Sequence, residues 1–114
     1  MEQIKATAMF RIRDGKLEKF KELIPVLISA VREKEPGALN YDWYLNEETM
    51  ECVVVETYAD SQAVLAHAGN VGELLQNLLE IADIAVEIYG NPNEELRNAI
   101  DGLGYKIYPF YSGL

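Results

Sequence analysis

The feature that most constrains the fold is a change of hydrophobic period at the dipeptide Asp14-Gly15. Before it, apolar and polar residues alternate over positions 4–12, the pattern of a strand with one buried face. After it, apolar residues recur every three or four positions over residues 17–31, which predicts an amphipathic helix. The chain therefore begins as a strand, turns, and continues as a helix.

The predicted helix contains Pro25, which removes one backbone hydrogen bond. Because the apolar stripe continues past this residue, we expect one bent helix. Pro36-Gly37 ends it, since proline disfavours helix in the residue before it and glycine tolerates a left-handed turn. The charged run at residues 32–35, which includes Glu35, is interpreted as a solvated helix end.

Two strands joined by a hairpin are predicted next, at residues 39–46 and 50–58, with residues 47–48 at the tip. Alternation puts one set of apolar residues on a common face of the first strand: Leu39, Tyr41, Trp43 and Leu45. Pairing Asn46 with Thr49 sets the expected register. It places Trp43 opposite Cys52, Tyr41 opposite Val54, and Leu39 opposite Glu56.

A second helical region is expected to begin at Asp60 or Ser61 and to reach about Ala82. Gly69-Asn70 interrupts its pattern, and the spacing of Asn70 and Glu73 is that of a capping box. We therefore predict a short helix, a bend and a second helix. A fourth strand follows at residues 84–89.

The C-terminal part is predicted to add one helix and one strand. Asn91 is the expected cap of the helix, Pro92 its first residue, and Asp101-Gly102 its end. The aromatic tail that follows is predicted to form a last strand, which Pro109 confines to an edge or a bulge.

This order predicts an α+β fold of the ferredoxin-like βαββαβ type with a C-terminal helix and strand extension. We expect a single domain over residues 1–114, with a core at 4–90 and an extension at 91–114. Helices can cover only one face of the sheet. We therefore predict a homodimer in which two sheets meet to form a dimeric α/β barrel, with the aromatic tail reaching the partner.

Charge and composition exclude several classes of function. A net charge of -9 with scattered basic residues argues against nucleic acid as a partner. No apolar stretch is long enough to cross a membrane, and the N-terminus lacks the apolar block of a signal peptide. Cys52 is the only cysteine, so a buried apolar role is favoured over a reactive thiol. A cytoplasmic location is the expectation.

Two motifs are similar to those of antibiotic biosynthesis monooxygenase (ABM) domains. Residues 35–41, EPGALNY, resemble the family's E-x-G-x-L-x-Y entry into the second strand. Residues 56–63, ETYADSQA, followed by His67, resemble its E-x-Y/W-x-D-x-x-A-x-x-x-H segment. The resemblance covers roughly residues 4–90, and the extension lies beyond it.

The resemblance implies a dimeric α/β barrel and, in some members, oxidation of quinols or polycyclic phenols by O₂ without a cofactor. Other members degrade haem, act as isomerases or have no known catalysis. The haem-degrading branch resembles this chain least. The haem-degrading branch has an Asn in the first strand, and this chain has none there. At the positions where that branch has a Trp and its catalytic His, this chain has His67 and Asn77.

Five residues are the candidate site. His67, the only histidine, and Glu56 are the catalytic candidates, since an imidazole can accept a phenolic proton near neutral pH. Tyr41, Trp43 and Tyr58 are the candidate substrate-binding residues. The alternatives are that His67 is a hydrogen-bonded core residue, that Glu56 is structural, and that the aromatic residues only fill the core.

No metal site or cofactor is predicted, because one histidine, one cysteine and scattered carboxylates do not form a recognisable ligand set. The favoured function is a cofactor-independent monooxygenase with a small aromatic molecule and O₂ as its partners. Two alternatives stay open. One is a non-catalytic ligand-binding or assembly module on the same dimer, and the other is an isomerase or lyase of a small metabolite.

Overall fold

The computed structural model describes residues 2–114, so Met1 of the predicted domain lies outside the described residues. Its elements follow the predicted α+β, ferredoxin-like order with a C-terminal helix and strand, which confirms that fold class. The elements are β1 (Ile4–Ile12), α1 (Leu17–Lys34), β2 (Ala38–Asn46), β3 (Glu51–Tyr58), α2 (Ser61–Leu79), β4 (Ala82–Tyr89), α3 (Glu94–Ile100) and β5 (Lys106–Tyr108).

One five-stranded sheet carries the structure, in the order β2-β3-β1-β4-β5. The first four strands are antiparallel to their neighbours, and β5 adds to β4 in parallel. The tail therefore forms an edge strand immediately before Pro109, as predicted. No helix within residues 2–114 is both long and apolar enough to span a bilayer.

Helix α1 runs without interruption across Pro25, as its continuous apolar stripe predicts. It buries Phe20, Leu27 and Val31 against the sheet and α2. At its end, Glu35 takes an extended conformation (φ -125°, ψ 80°), which the following proline imposes. Its carboxylate points inward, and the residue is only 6% exposed. The interpretation of this run as a solvated helix end is therefore wrong for Glu35.

The predicted hairpin register is displaced by two residues. Tyr41 pairs with Glu56, Trp43 with Val54, and Asn46 with Glu51. The turn spans four residues, 47–50, rather than two, and Met50 takes a left-handed conformation (φ 59°). Because side chains alternate with period two, a shift of two residues preserves which ones face the helices.

Leu39 departs from the predicted face. The register between β2 and β3 shifts between Ala38 and Asn40, so this bulge turns Leu39 outward, where it is 49% exposed. Ala38 takes the inward position and packs against the core.

The predicted interruption of the second helix is also wrong, because α2 passes through Gly69-Asn70 and ends at Leu79 rather than near Ala82. Asn70 does not cap a new helix. Its side chain donates to the carbonyl of Ala30 and to Glu35. These tertiary bonds, with burial of Val71, outweigh the roughly 1 kcal/mol that a glycine costs inside a helix.

Helix α3 begins two residues later than predicted, with Asn93 rather than Asn91 as its cap. The Asn93 side chain accepts from the backbone N–H of Leu96, while its own N–H donates to Ser61 Oγ. Asp60, one of the two candidates, caps α2 by accepting from Ala63 N–H. The hydrogen bond from Asn93 N–H to Ser61 Oγ joins the start of α3 to the start of α2. This bond favours Asn93 over Asn91 as the cap.

Gly37 lies where the entry to β2 passes close to α2. A Cβ built on Gly37 would lie 2.7 Å from Ala63 Cβ, closer than two carbon atoms can pack. We expect Gly37→Ala to lower the free energy of unfolding by about 1–3 kcal/mol, the usual cost of overpacking. Urea denaturation measures this change.

The matched control is Gly69→Ala, because a Cβ at this α2 position meets no atom within 4 Å. It should raise stability by about 0.5–1 kcal/mol through helix propensity. Equal effects of the two substitutions would contradict the close approach at Gly37.

Candidate functional site

Two small side chains at the centre of the sheet leave room for a cavity. Ala6 and Ala8 are consecutive inward-facing residues of β1, the middle strand. Ala6 lies in a cross-strand row with Tyr41, Glu56 and Ile88, and Ala8 in a row with Trp43, Val54 and Val86. Ile4 and Phe10 bracket the two alanines on the same strand. These larger side chains keep the helices from closing onto the alanines.

The resulting cavity has a volume of about 210 Å³ and lies between the sheet, α2 and the C-terminal extension. Its wall is mostly aliphatic and aromatic. The polar side chains on it are those of Tyr41, Glu56, Tyr58, His67 and Tyr105. An apolar chamber with a few polar groups is the usual form of a small-molecule site.

The imidazole of His67 is held by a buried carboxylate. His67 Nδ1 lies 2.9 Å from Glu35 Oε1 and 3.2 Å from Oε2. The Glu35 side chain is 2% exposed and that of His67 is 15% exposed. Because a carboxylate accepts, Nδ1 carries the hydrogen and donates it to Glu35. This bond leaves Nε2 of the neutral ring free to act as a base.

Glu35 is fixed by Asn70, which donates from Nδ2 to Glu35 Oε2 at 2.7 Å. Helix α1 therefore supplies the carboxylate, and α2 supplies both the imidazole and the amide. Asn70 lies three residues after His67, so both side chains lie on the same side of α2. The arrangement orients His67 in the way that a carboxylate orients the histidine of a hydrolase triad.

The second carboxyl lies across from the imidazole. His67 Nε2 is 3.8 Å from Glu56 Oε1, which is too long for a hydrogen bond. Tyr58 donates its O–H to the same carboxyl oxygen. A ligand oxygen placed beside both residues would contact the imidazole and the carboxyl at once.

Burial raises the pKa of Glu56, and the charge of Glu35 adds to the rise, while His67 and the Tyr58 hydrogen bond act against it. The neutral carboxyl is thereby favoured in the folded protein. A glutamate whose pKa is raised holds its proton to a higher pH than an exposed glutamate does. The pair is an acid and a base facing one space.

This rise predicts a specific pH dependence of stability. The folded pKa of Glu56 lies above its unfolded value of 4.5, so its contribution to stability is complete below pH 4.5. That contribution is lost as the pH rises through the folded pKa, by up to about 1.4 kcal/mol per pH unit. Glu56→Gln should remove this loss, measured by urea denaturation at a series of pH values.

The matched control is Glu48→Gln at the exposed hairpin turn, which should leave the pH profile unchanged. A Glu56→Gln profile parallel to that of the wild type from pH 4.5 upwards would contradict the raised pKa.

Tyrosines surround this polar end. The ring of Tyr41 lies 5.2 Å from the imidazole of His67, and the ring of Tyr58 lies 5.3 Å from it. Burial raises the pKa of both phenols, and the nearby charges of Glu56 and Glu35 add to the rise. Both therefore stay protonated, and Tyr58 donates its O–H to Glu56.

Trp43 forms part of the wall beyond the polar end. Its ring stacks on Phe10 at 6.0 Å and meets Tyr41 edge-on at 5.5 Å. Within residues 2–114, its Nε1 is the only fully buried side-chain nitrogen or oxygen without a hydrogen-bond partner. Burying an unpaired N–H is costly, so packing of the ring outweighs the lost hydrogen bond at this position.

Cys52 takes no part in the polar end. It is fully buried, as predicted, and burial raises the pKa of its thiol to about 11, which keeps it uncharged. In the part of the chain that the structure describes, no three His, Cys, Asp or Glu side chains form a group that could hold a metal ion.

All five residues predicted from the sequence, Tyr41, Trp43, Glu56, Tyr58 and His67, line this one cavity. Sequence reasoning missed Glu35 and Asn70, which approach His67 only when α1 and α2 pack together. The acidic first position of the E-x-G-x-L-x-Y motif was a signal for Glu35. Sequence reasoning also missed that the C-terminal extension forms part of the cavity wall. The aromatic composition of the tail was the only signal for this.

Comparison with known proteins places the chain in a family. The model of the antibiotic biosynthesis monooxygenase family matches residues 3–72. No protein of curated function matches the sequence.

Solved structures share the fold. MupZ from Pseudomonas fluorescens is 26% identical with a TM-score of 0.89, over 100% of this chain and 94% of that one. Rv0793 from Mycobacterium tuberculosis is 23% identical with a TM-score of 0.71, over 82% and 98%. An antibiotic biosynthesis monooxygenase is 20% identical with a TM-score of 0.69, over 79% and 99%. The latter two likenesses concern the fold alone.

Proposed function

The chain belongs to the antibiotic biosynthesis monooxygenase family, and we propose that it oxidises a quinol-like or polycyclic phenolic small molecule with O₂ and no cofactor. One observation carries this proposal. His67 has its Nδ1 bound to buried Glu35 and its Nε2 facing Glu56 in an otherwise apolar cavity. That geometry supports a base that takes a proton from a bound phenol.

The chemistry needs no metal or flavin when the substrate itself supplies the electrons. Nε2 of His67 removes a phenolic proton, and the resulting electron-rich ring carbon forms a bond to O₂. The peroxide formed on the ring loses water, leaving a carbonyl oxygen on the substrate. One oxygen atom enters the product, the other leaves as water, and all four electrons come from the substrate.

The remaining candidates take roles that fit their positions. Tyr41, Trp43 and Tyr58 would hold the aromatic ring. Burial raises the pKa of Glu56, and in its protonated form this carboxyl would donate a hydrogen bond to a substrate oxygen or a proton to the departing water. The apolar wall would exclude bulk water, which strengthens these polar contacts.

The experiment is O₂ uptake by the purified, chelator-treated protein with a panel of hydroquinones and naphthols. We expect uptake above the buffer autoxidation rate, with one oxygen atom of O₂ in the product: a hydroxyquinone from a hydroquinone and a naphthoquinone from a naphthol. Rates that equal autoxidation across the panel would reject the monooxygenase proposal for these substrates. Ligand binding without any reaction would instead support a non-catalytic binding module.

The distance of 3.8 Å between His67 Nε2 and Glu56 Oε1 also favours a second candidate, an isomerase or lyase of a small metabolite. An acid and a base beside one another can move a proton between two atoms of a substrate without an oxidant. Turnover that persists under argon would favour this candidate over the oxygenase.

We also propose that two copies associate through the sheet face that the helices leave open. On this face, Val55 of β3 is 38% exposed and Tyr44 of the edge strand β2 is 60% exposed. In the tail, Phe110 and Tyr111 are exposed as well, at 70% and 98%. Exposed aromatic and aliphatic residues in this number are typical of an interaction surface.

Val55→Asp should therefore shift the protein toward monomer. A carboxylate at position 55 would lie opposite Asp42 in the register of β2 and β3, so the interface would bury two neighbouring like charges, at a cost of several kcal/mol. Analytical ultracentrifugation at micromolar concentration measures the shift, with Val26→Asp on the exposed side of α1 as the control. A wild-type monomer under these conditions would reject the dimer.

Two predictions from the sequence stay predictions. One is that residues 1–114 form a single domain with a core at 4–90 and an extension at 91–114. The other is a cytoplasmic location.

A further inference from the structure

The C-terminal extension, residues 91–114, forms one wall of the cavity. Five of its side chains line the chamber: Leu96, Ala99, Ile100, Leu103 and Tyr105. The family match ends before this segment, at residue 72. About a fifth of this chain has no counterpart in the Mycobacterium tuberculosis structure, whereas MupZ matches over its whole length. The wall therefore lies outside the part of the chain that the family model matches.

Both ends of the segment are anchored. At its start, Asn93 N–H donates to Ser61 Oγ, and Glu95 accepts from Gln62 at the first turn of α2. At its end, β5 pairs with β4, and Tyr108 O accepts from Gly90 N–H. Residues 101–105, which we term the gate loop, run between these fixed points.

The gate loop presents one apolar and one polar side chain to the cavity. Leu103 lines it and is still 59% exposed, so this side chain lies at the boundary between the chamber and solvent. Gly102 and Gly104 on either side take left-handed conformations, with φ of 81° and 79°. These conformations suit glycine and set the direction in which Leu103 projects.

Tyr105 is a further tyrosine on the cavity wall. No side-chain hydrogen bond joins it to any other residue between 2 and 114. Burial raises the pKa of its phenol, and the charge of Glu56 adds to the rise, so the phenol stays protonated. A tyrosine on the wall with no side-chain partner can donate its O–H to a ligand.

Volume limits what the chamber accepts. A cavity of about 150 Å³ in a protein core is known to admit benzene. The chamber here has a volume of about 210 Å³, which is larger than that cavity but less than twice its volume. With Leu103 in position, one ring or two fused rings fit, and three do not.

We propose that the gate loop determines ligand specificity: Tyr105 donates a hydrogen bond to the hydroxyl oxygen of a one- or two-ring hydroxyarene, and Leu103 excludes larger ring systems. This inference rests on the proposed function for the class of substrate, which it narrows. It assigns a binding role to residues that the two family motifs do not contain.

The inference is tested by equilibrium dialysis under nitrogen, so that ligand binding is measured without oxidation of the ligand. The probes are 1-naphthol, naphthalene, which lacks the hydroxyl, and 9-phenanthrol, which has a third ring. The wild-type protein should bind 1-naphthol more tightly than naphthalene and bind 9-phenanthrol weakly. Tyr105→Phe should lower the naphthol-to-naphthalene affinity ratio about 2- to 10-fold, the value of one hydrogen bond.

Tyr108→Phe is the matched control, because Tyr108 stacks on Tyr89 outside the cavity and should leave the ratio unchanged. Leu103→Ala should raise affinity for 9-phenanthrol about tenfold, with a smaller change for 1-naphthol. An unchanged ratio in Tyr105→Phe, unchanged 9-phenanthrol binding in Leu103→Ala, or no binding of 1-naphthol to the wild type would overturn the inference.

Failure here is separable from failure of the proposed function. Binding that follows the expected pattern, without O₂ uptake in air, rejects the monooxygenase and supports the gate loop. Rapid O₂ uptake with three-ring phenols by the wild type rejects the gate loop and supports the monooxygenase.

Discussion

His67→Ala is expected to lower kcat for O₂ uptake with a hydroquinone at least about 100-fold, because a positioned general base contributes roughly 10²–10⁴ to a rate. KM should change little, since the apolar wall that holds the ring is retained. An oxygen electrode measures both constants. Circular dichroism checks that the variant is folded.

Glu35 supplies the companion measurement, because it acts through His67 as a positioning residue. Glu35→Gln can present either an N–H or a carbonyl to Nδ1, so the imidazole is no longer held in one tautomer. We expect a lower kcat with KM retained, and partial rescue in Glu35→Asp. His67 is the only histidine, so its ¹⁵N resonances report the tautomer directly.

A His67→Ala variant that keeps the wild-type kcat would remove the imidazole from the mechanism. A Glu35→Gln variant with an unchanged tautomer and unchanged kcat would reduce the Glu35–His67 bond to a structural contact. The first result bears on the base, and the second bears only on how that base is held.

Phe20→Ala is expected to cause the largest loss of stability, about 3–5 kcal/mol, the usual cost of removing a buried phenylalanine. Phe20 is fully buried on α1, and its ring meets Phe10 edge-on at 5.5 Å and Trp43 at 6.3 Å. Total stability of a small domain is about 5–15 kcal/mol, so the variant should be close to unfolding. Urea denaturation followed by Trp43 fluorescence measures the change.

The control for Phe20→Ala is Val26→Ala on the same helix, where the side chain is 46% exposed. Its effect should stay within about 1 kcal/mol, since little apolar surface is lost from the core. A loss below about 1.5 kcal/mol for Phe20→Ala would mean that the surrounding rings close the space left by the side chain.

The sequence predicted every strand and helix of this fold, because each has a hydrophobic period that follows from the local backbone geometry of a strand or a helix. The alternation from Ile4 to Ile12 is an example, since every inward residue is buried in the structure. Apart from the interruption predicted inside α2 at Gly69-Asn70, the errors lie at the junctions between elements. The Asn93 cap and the four-residue hairpin turn depend on bonds to distant segments, such as Ser61, that local patterns do not contain.

The candidate site divides in the same way. Tyr41, Trp43, Glu56 and Tyr58 were predicted to share a face because neighbouring strands alternate, and a register error of two residues left that prediction unaffected. Glu35 was misread because a charged residue at a helix end is ordinarily solvated. The burial of its carboxylate follows from α1 and α2 meeting, with Asn70 and His67 as its partners.

By itself, the amino-acid sequence determined the order of elements, the inward residues of the strands apart from Leu39, and the family, because these follow from periods and motifs within short stretches of chain. Only the tertiary structure decided which carboxylate holds His67, how large the cavity under the two alanines is, and that the last helix and the gate loop close it. Those properties depend on side chains brought together from segments far apart in the chain, and their distances are set by packing rather than by spacing along the sequence.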